Sequence, residues 1–366
     1  MKPIWRRSLW CLLIVFVIGA GVRGYSAWRT QQFVEELERH GTKLVRLGDD
    51  VVLLESHSND SMTVEDAERL TPCERYTLAD FSASGVSDSV VRALMETNEG
   101  TLGLRLNETH ITDAAFDLSR FDRWVSHLDL SHTQVTKASL PRLHRFKQWQ
   151  LGYLSLAHTN LGDSIFEIFS ERVDLNGKPG GEFITGPTVL NLTGTLITDD
   201  GLRLIRYSPH GLVLRDTAVT DVGLAAMKFD ELVYLDLTNT KITNAGLSAF
   251  SEMKRLRILC LNGTQITDDG LTQLNQICPN VCVIDRQSEN VLPRHRLVDA
   301  MCQGQLFGRI SDELWQDLID VGEWRMKSSV SVGVADKIEE GHVVLGLRVH
   351  HPAKIVLFAE MSVPCW

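Results

Sequence analysis

The chain predicts an α/β fold: a right-handed solenoid with parallel strands on a concave face, short helices on a convex face and small α+β caps at both ends. Three observations carry that prediction. A phrase of the form Leu-x-Leu-x-x-Thr-x-Ile/Val/Leu returns seven times between residues 102 and 271. Its copies stand 22 to 26 residues apart, with one wider step. A unit that short buries its apolar side only against its neighbours, which stacks the units into a solenoid. In the clearest copies the pattern also passes from period two to a helix-starting Thr-Asp-x-Gly-Leu, as at Thr198, Thr220 and Thr267, so one copy is strand, turn, helix and return.

In register on the threonine, the first three copies are Leu104/Leu106/Thr109/Ile111, Leu128/Leu130/Thr133/Val135 and Leu154/Leu156/Thr159/Leu161. The other four are Leu190/Leu192/Thr195/Ile197, Leu212/Leu214/Thr217/Val219, Leu235/Leu237/Thr240/Ile242 and Leu259/Leu261/Thr264/Ile266. Phe81, Ser84 and Val86 make a decayed leading copy, and Val281 and Val283 a closing strand. In a strand both leucines of Leu-x-Leu point inward and the residue between them outward. The threonine hydroxyl at the inward bend needs a partner, which backbone of its own and the neighbouring turn supplies. Thr198 and Thr267 are expected N-caps, with Asp199, Asp200, Asp268 and Asp269 in the positive first turn.

The flanks differ from the repeats. Lys2, Arg6 and Arg7 precede an apolar run from Leu9 to Val22, so residues 1–29 read as a signal-anchor or a cleaved signal peptide. Residues 30–78 predict a cap of one helix and a hairpin turning at Gly48-Asp-Asp50. The solenoid is placed at 79–284, with an insertion at about 164–187 whose Gly/Pro cluster near Gly177 to Gly181 marks a loop or protruding hairpin. Residues 285–366 predict a further α+β module, with a helix from Ser311 and strands over 330–334, 342–350 and 354–359.

The repeats resemble leucine-rich repeats of the ribonuclease-inhibitor-like and F-box-associated kind, and their wording is similar to repeats abundant in planctomycete proteins. Cys278-Pro-Asn-Val281 resembles the corresponding step of cysteine-containing repeats. The resemblance covers residues 79 to 284. It implies recognition of other macromolecules, usually proteins, through the concave sheet, and it carries no catalytic residues. Threonine stands here where many such repeats have asparagine, so an asparagine ladder is not implied.

Composition narrows the class. The chain has 43% hydrophobic and 23% charged residues, as folded proteins do. A net charge of −10 argues against nucleic-acid binding, which rewards basic stripes. The basic residues ahead of the apolar run place the rest of the chain outside the cytoplasm, membrane-anchored or, after cleavage, secreted or periplasmic. Cys278 or Cys282 could bridge to Cys302 and close the solenoid end, or these thiols simply pack as small hydrophobes.

No phosphate-binding loop, zinc helix, nucleophile elbow or EF-hand loop is legible, and no catalytic residue, metal or cofactor is assigned. His127, His132 and His158 are the nearest approach to a metal set, and they read as solvent-facing repeat residues. The expected binding surface is the concave face: Arg105, Asp129, Ser155, Asn191 and Asp236 between the leucine pairs, with His127, Tyr153, Arg215 and Tyr234 beside them. Tyr and Arg are the common anchors of interfaces. The reading is a non-catalytic protein-interaction module, tethered by its N-terminal apolar segment, with no nucleic-acid or small-molecule ligand. A cell-envelope glycan binder, an enzyme whose activity sits in the C-terminal module and a substrate receptor for protein degradation are the alternatives.

Overall fold

A computed structural model describes residues 31–46, 51–56, 58–59, 62–70, 76–97, 100–118, 124–139, 152–168, 172–173, 183–184, 186–285, 299–300, 302–303, 305, 308–309, 311, 313, 316, 323–327, 330–334, 344–350 and 355–362. The N-terminal apolar run lies outside these residues. No helix among them is long and apolar enough to cross a membrane.

A single sheet of eleven strands runs through the solenoid in the order β1-β2-β3-β4-β5-β6-β9-β10-β11-β12-β13. Its members are β1 (Lys43–Arg46), β2 (Val51–Glu55), β3 (Tyr76–Asp80), β4 (Thr101–Arg105), β5 (Trp124–Asp129) and β6 (Tyr153–Ser155). They continue with β9 (Val189–Asn191), β10 (Gly211–Val213), β11 (Tyr234–Asp236), β12 (Ile258–Cys260) and β13 (Cys282–Ile284). Between β6 and β9 the insertion forms a separate antiparallel pair, β7 (Arg172–Val173) and β8 (Phe183–Ile184). Its Gly/Pro loop lies outside the described residues.

β1 and β2 are an antiparallel hairpin, and every later pairing in the sheet is parallel. The cap therefore extends the sheet rather than merely shielding it. The register puts like residues in line: Leu104, Leu128, Leu154, Leu190, Leu212, Leu235, Leu259 and Val283 are successive partners. All but Val283 are buried. Fully burying one such side chain contributes about 1.5–3 kcal/mol, so a continuous apolar column holds the coils together.

The returns are short. They include α-helices at Asp199–Leu204, Asp221–Ala226 and Asp268–Ile277 and 3-10 segments at Asp113–Phe116 and Asn244–Glu252. Thr198 and Thr267 cap their starts as the sequence predicts, and Thr220 and Thr243 do the same in the coils between. Leu202, Leu224 and Leu274 face the core, whereas Leu204, the last residue of its helix, is exposed.

Each conserved-looking word of the repeat has a separate task. The core threonine donates to the carbonyl three residues back within its own turn: Thr109 to Leu106 at 2.5 Å, Thr195 to Leu192 at 2.6 Å and Thr240 to Leu237 at 2.6 Å. The residue before it lies in the left-handed region in every coil, at Ala83, Glu108, His132, His158, Gly194, Asp216, Asn239 and Gly263. That turn aims the N–H at the next coil, as from Glu108 to the Ser131 carbonyl at 2.9 Å.

The Thr-Asp-x-Gly step is a brace between coils. The Thr220 N–H and hydroxyl both donate to Asp199, at 2.8 and 2.6 Å, and Thr243 does the same to Asp221. Asp88–Thr112, Asp113–Thr136 and Asp163–Thr198 repeat the pattern, and Asn244 accepts from Thr267 in the last coil. A Cβ on Gly223 would stand 2.3 Å from Asp199 Oδ1, and one on Gly246 2.4 Å from Asp221 Oδ1. Glycine there makes room for the neighbour's carboxylate.

Toward the C-terminus a second sheet, order β14-β18-β17-β16-β15, is antiparallel. Its strands are β14 (Gly308–Arg309), β15 (Glu323–Lys327), β16 (Val330–Val334), β17 (Val344–His350) and β18 (Ile355–Ser362). Of the helix expected from Ser311, residues 313 and 316 are helical and the others lie outside the described set.

Candidate partner-binding face

The sheet-face column is built into the turns that follow it. Asp129 Oδ1 accepts from the Ser131 N–H at 3.0 Å and hydroxyl at 2.5 Å, and Asn191 Oδ1 accepts from the Thr193 N–H and hydroxyl. Asp236 Oδ1 accepts from the Thr238 N–H at 2.8 Å, and Ser155 Oγ meets both Ser131 Oγ and the Ala157 N–H. Short polar side chains at this position close an Asx-type turn at the strand end. Asp129, Ser155, Asn191 and Asp236 are all buried.

The aromatic row differs from expectation in the same way. His127 stacks on Tyr153, centroids 4.4 Å apart and planes 15° from parallel, and both are buried. Burial, with Arg105 adding to it, holds the His127 imidazole well below its ordinary value and so neutral. Burial pushes the Tyr153 hydroxyl up as well. Tyr234 is fully buried. For Tyr234 the physical cause is cover: a side chain that an open sheet would show to solvent lies beneath other chain. Arg105 and Arg215 keep partial exposure, Arg105 beside Asp80 at 3.2 Å and Arg215 beside Asp236 at 3.0 Å.

Over β10 to β12 the cover includes residues 299, 300, 302 and 303. Tyr234 donates to the Asp299 carboxylate, and Gln303 Nε2 donates to Asp236 Oδ2 at 2.9 Å and to the Tyr234 hydroxyl at 3.3 Å. Ala300 and Cys302 are buried. Burial pushes the Asp299 carboxyl up from its ordinary value, against the Tyr234 bond that favours ionisation. The sequence carries no signal for this contact, because it joins positions more than sixty residues apart through polar side chains.

Cys302 therefore lies on the sheet face, not at the end of the solenoid, and Cys260, Cys278 and Cys302 are free thiols. The bridge considered between Cys302 and the last coil is not formed. Cys278 packs at the Phe250 carbonyl, 3.6 Å away.

His132 and His158 stack at 4.3 Å between centroids on adjacent turns, while His127 sits apart on β5 with Tyr153. The three histidines thus form no common ligand set. Among the described residues, Asp236, Cys260 and Asp299 do bring potential ligand atoms within 4.8 Å of one another. Both Asp236 oxygens already accept hydrogen bonds, from Thr238 on one side and Arg215 and Gln303 on the other. The group closes as a hydrogen-bonded network.

A family model described as Leucine Rich repeat matches residues 232–251, the coil that begins at β11. The other coils share its register, turn and brace, so this is a leucine-rich-repeat protein. No curated protein matches the chain. Among solved structures, it is similar to a leucine-rich-repeat protein of Leptospira interrogans, at 13% identity over 64% of this chain and 89% of that one, TM-score 0.23. An internalin of Listeria monocytogenes is 15% identical over 62% of this chain and 83% of its own, also with TM-score 0.23. Neither likeness bears on function at that overlap.

Proposed function

We propose that the protein is a non-catalytic protein-interaction module, held at a membrane by its N-terminal apolar segment with the solenoid outside the cytoplasm. One observation carries the binding part: on the sheet face a chain segment already docks through side-chain hydrogen bonds to Tyr234 and Asp236. A face that takes one peptide segment this way is chemically suited to another. The topology rests on the order of basic residues and apolar run at the N-terminus.

Two measurements test the parts separately. Protease added to intact cells should cleave the solenoid, and full protection would overturn the topology. Crosslinking followed by recovery of the partner should weaken with Arg105→Ala and Arg215→Ala, the two face residues that retain exposure. Unchanged recovery from both variants would remove the sheet face as the binding surface.

A further inference from the structure

The row of residues just before the leucine column runs His127, Tyr153, Val189, Gly211, Tyr234 and Ile258 along adjacent strands. Gly211 is a notch in it, flanked by Val189 and Tyr234. Cys302 fills that notch: a Cβ on Gly211 would stand 2.9 Å from Cys302 Sγ and 3.2 Å from Val189 Cγ2. Beside the notch Tyr234 and Asp236 hold Asp299 and Gln303. The receiving side thus has a small apolar recess, a phenol that donates and a carboxylate that accepts.

We propose that this face is a recognition site for a peptide segment, and that residues 299–303 are its tethered occupant, which an outside partner must displace. The proposal deepens the protein-interaction reading and rests on it, but its first test needs no partner. The partner is a protein segment that sets a carboxylate against Tyr234, an amide against Asp236 and a small side chain against Gly211.

The occupant is suited to leaving. Among its described residues the buried apolar side chains are Ala300 and Cys302, both small, unlike the leucines that hold the coils. The other contacts of these described residues are hydrogen bonds that water replaces once the segment lifts, and such exchanges are nearly balanced. Tethering still gives it a millimolar-scale effective concentration, enough to mask the site from weak ligands.

The test uses the full chain and the Asp299→Ala/Gln303→Ala variant, which alters the occupant and leaves the receiving face intact. Alkylation of Cys302 and Cys260 by iodoacetamide, mapped by mass spectrometry, should speed up about tenfold or more, with Cys278 unchanged. Gly211→Ala, which crowds Cys302 without removing a polar contact, should speed Cys302 alkylation too. A labelled peptide of residues 297–305 should bind the double variant at least about tenfold more tightly than the wild type, and adding Tyr234→Phe should weaken it. Cys302 rates that stay at the wild-type value, or rise only in step with Cys278, would overturn the occupant. Equal peptide binding by wild type and double variant would overturn the recognition site even if the protein-interaction reading stands.

Discussion

Asp199 and Asp200 are neighbours with the same side chain and the same favourable place at a helix start, and they have different work. Asp199 takes two bonds from Thr220 of the next coil, while Asp200 is exposed and pairs only with Arg203 within its own helix. Removing an acceptor from two partly buried donors costs about 1–3 kcal/mol, whereas a surface ion pair contributes about 0–1 kcal/mol. Asp199→Ala should therefore lower stability in urea titration by several times the effect of Asp200→Ala; equal losses would refute the brace. The turn residue gives the opposite prediction. Glu108 holds φ at 59°, a conformation that costs an L-residue about 1–2 kcal/mol and glycine almost nothing. Glycine's extra freedom in the unfolded chain offsets part of that. Glu108→Gly should raise the unfolding free energy measured by urea titration by a net of about 0.5–1 kcal/mol.

At the level of elements, the N-terminal cap hangs on one carboxylate. Asp66, in the helix Val64–Arg69, accepts from the Thr63 N–H and hydroxyl, each at 2.8 Å, and meets His40 Nδ1 at 2.7 Å. Burial alone would raise its pKa, but the bonds from Thr63 and His40 outweigh it and hold the value below the ordinary 3.8. A depressed carboxylate contributes stability above the ordinary value and loses it as pH falls through the folded one. The stability gap between wild type and Asp66→Asn should thus be full at about pH 6 and shrink as the pH drops below about 4. A gap independent of pH would show that Asp66 acts by shape alone.

At the level of the whole molecule, stability is a sum of coils and of contacts between neighbouring coils. Leu212 is fully buried midway along the leucine column, in line with Leu190 and Leu235. Leu212→Ala should cost about 2–5 kcal/mol and raise hydrogen exchange most in β9 to β11, fading along the sheet. Uniform exchange throughout would mean that the solenoid opens as one unit. The docked segment adds a long-range contact to this otherwise local architecture, tying residues 299–303 to β10–β12.

The sequence by itself determined the solenoid. Leucine spacing, turn threonines and cap positions are local consequences of period and side-chain chemistry, and the structure realises them coil by coil. It also marked the column Asp129, Ser155, Asn191 and Asp236 as facing out of the sheet, but not that those side chains brace their own turns. Only the tertiary structure decided what Asp-x-Gly is for, since the partner of each aspartate is a threonine one coil away. It alone showed that Tyr234 lies under Asp299 and Gln303. Polar contacts between distant segments leave no periodicity in a chain, whereas burial against an identical neighbour leaves one in every coil.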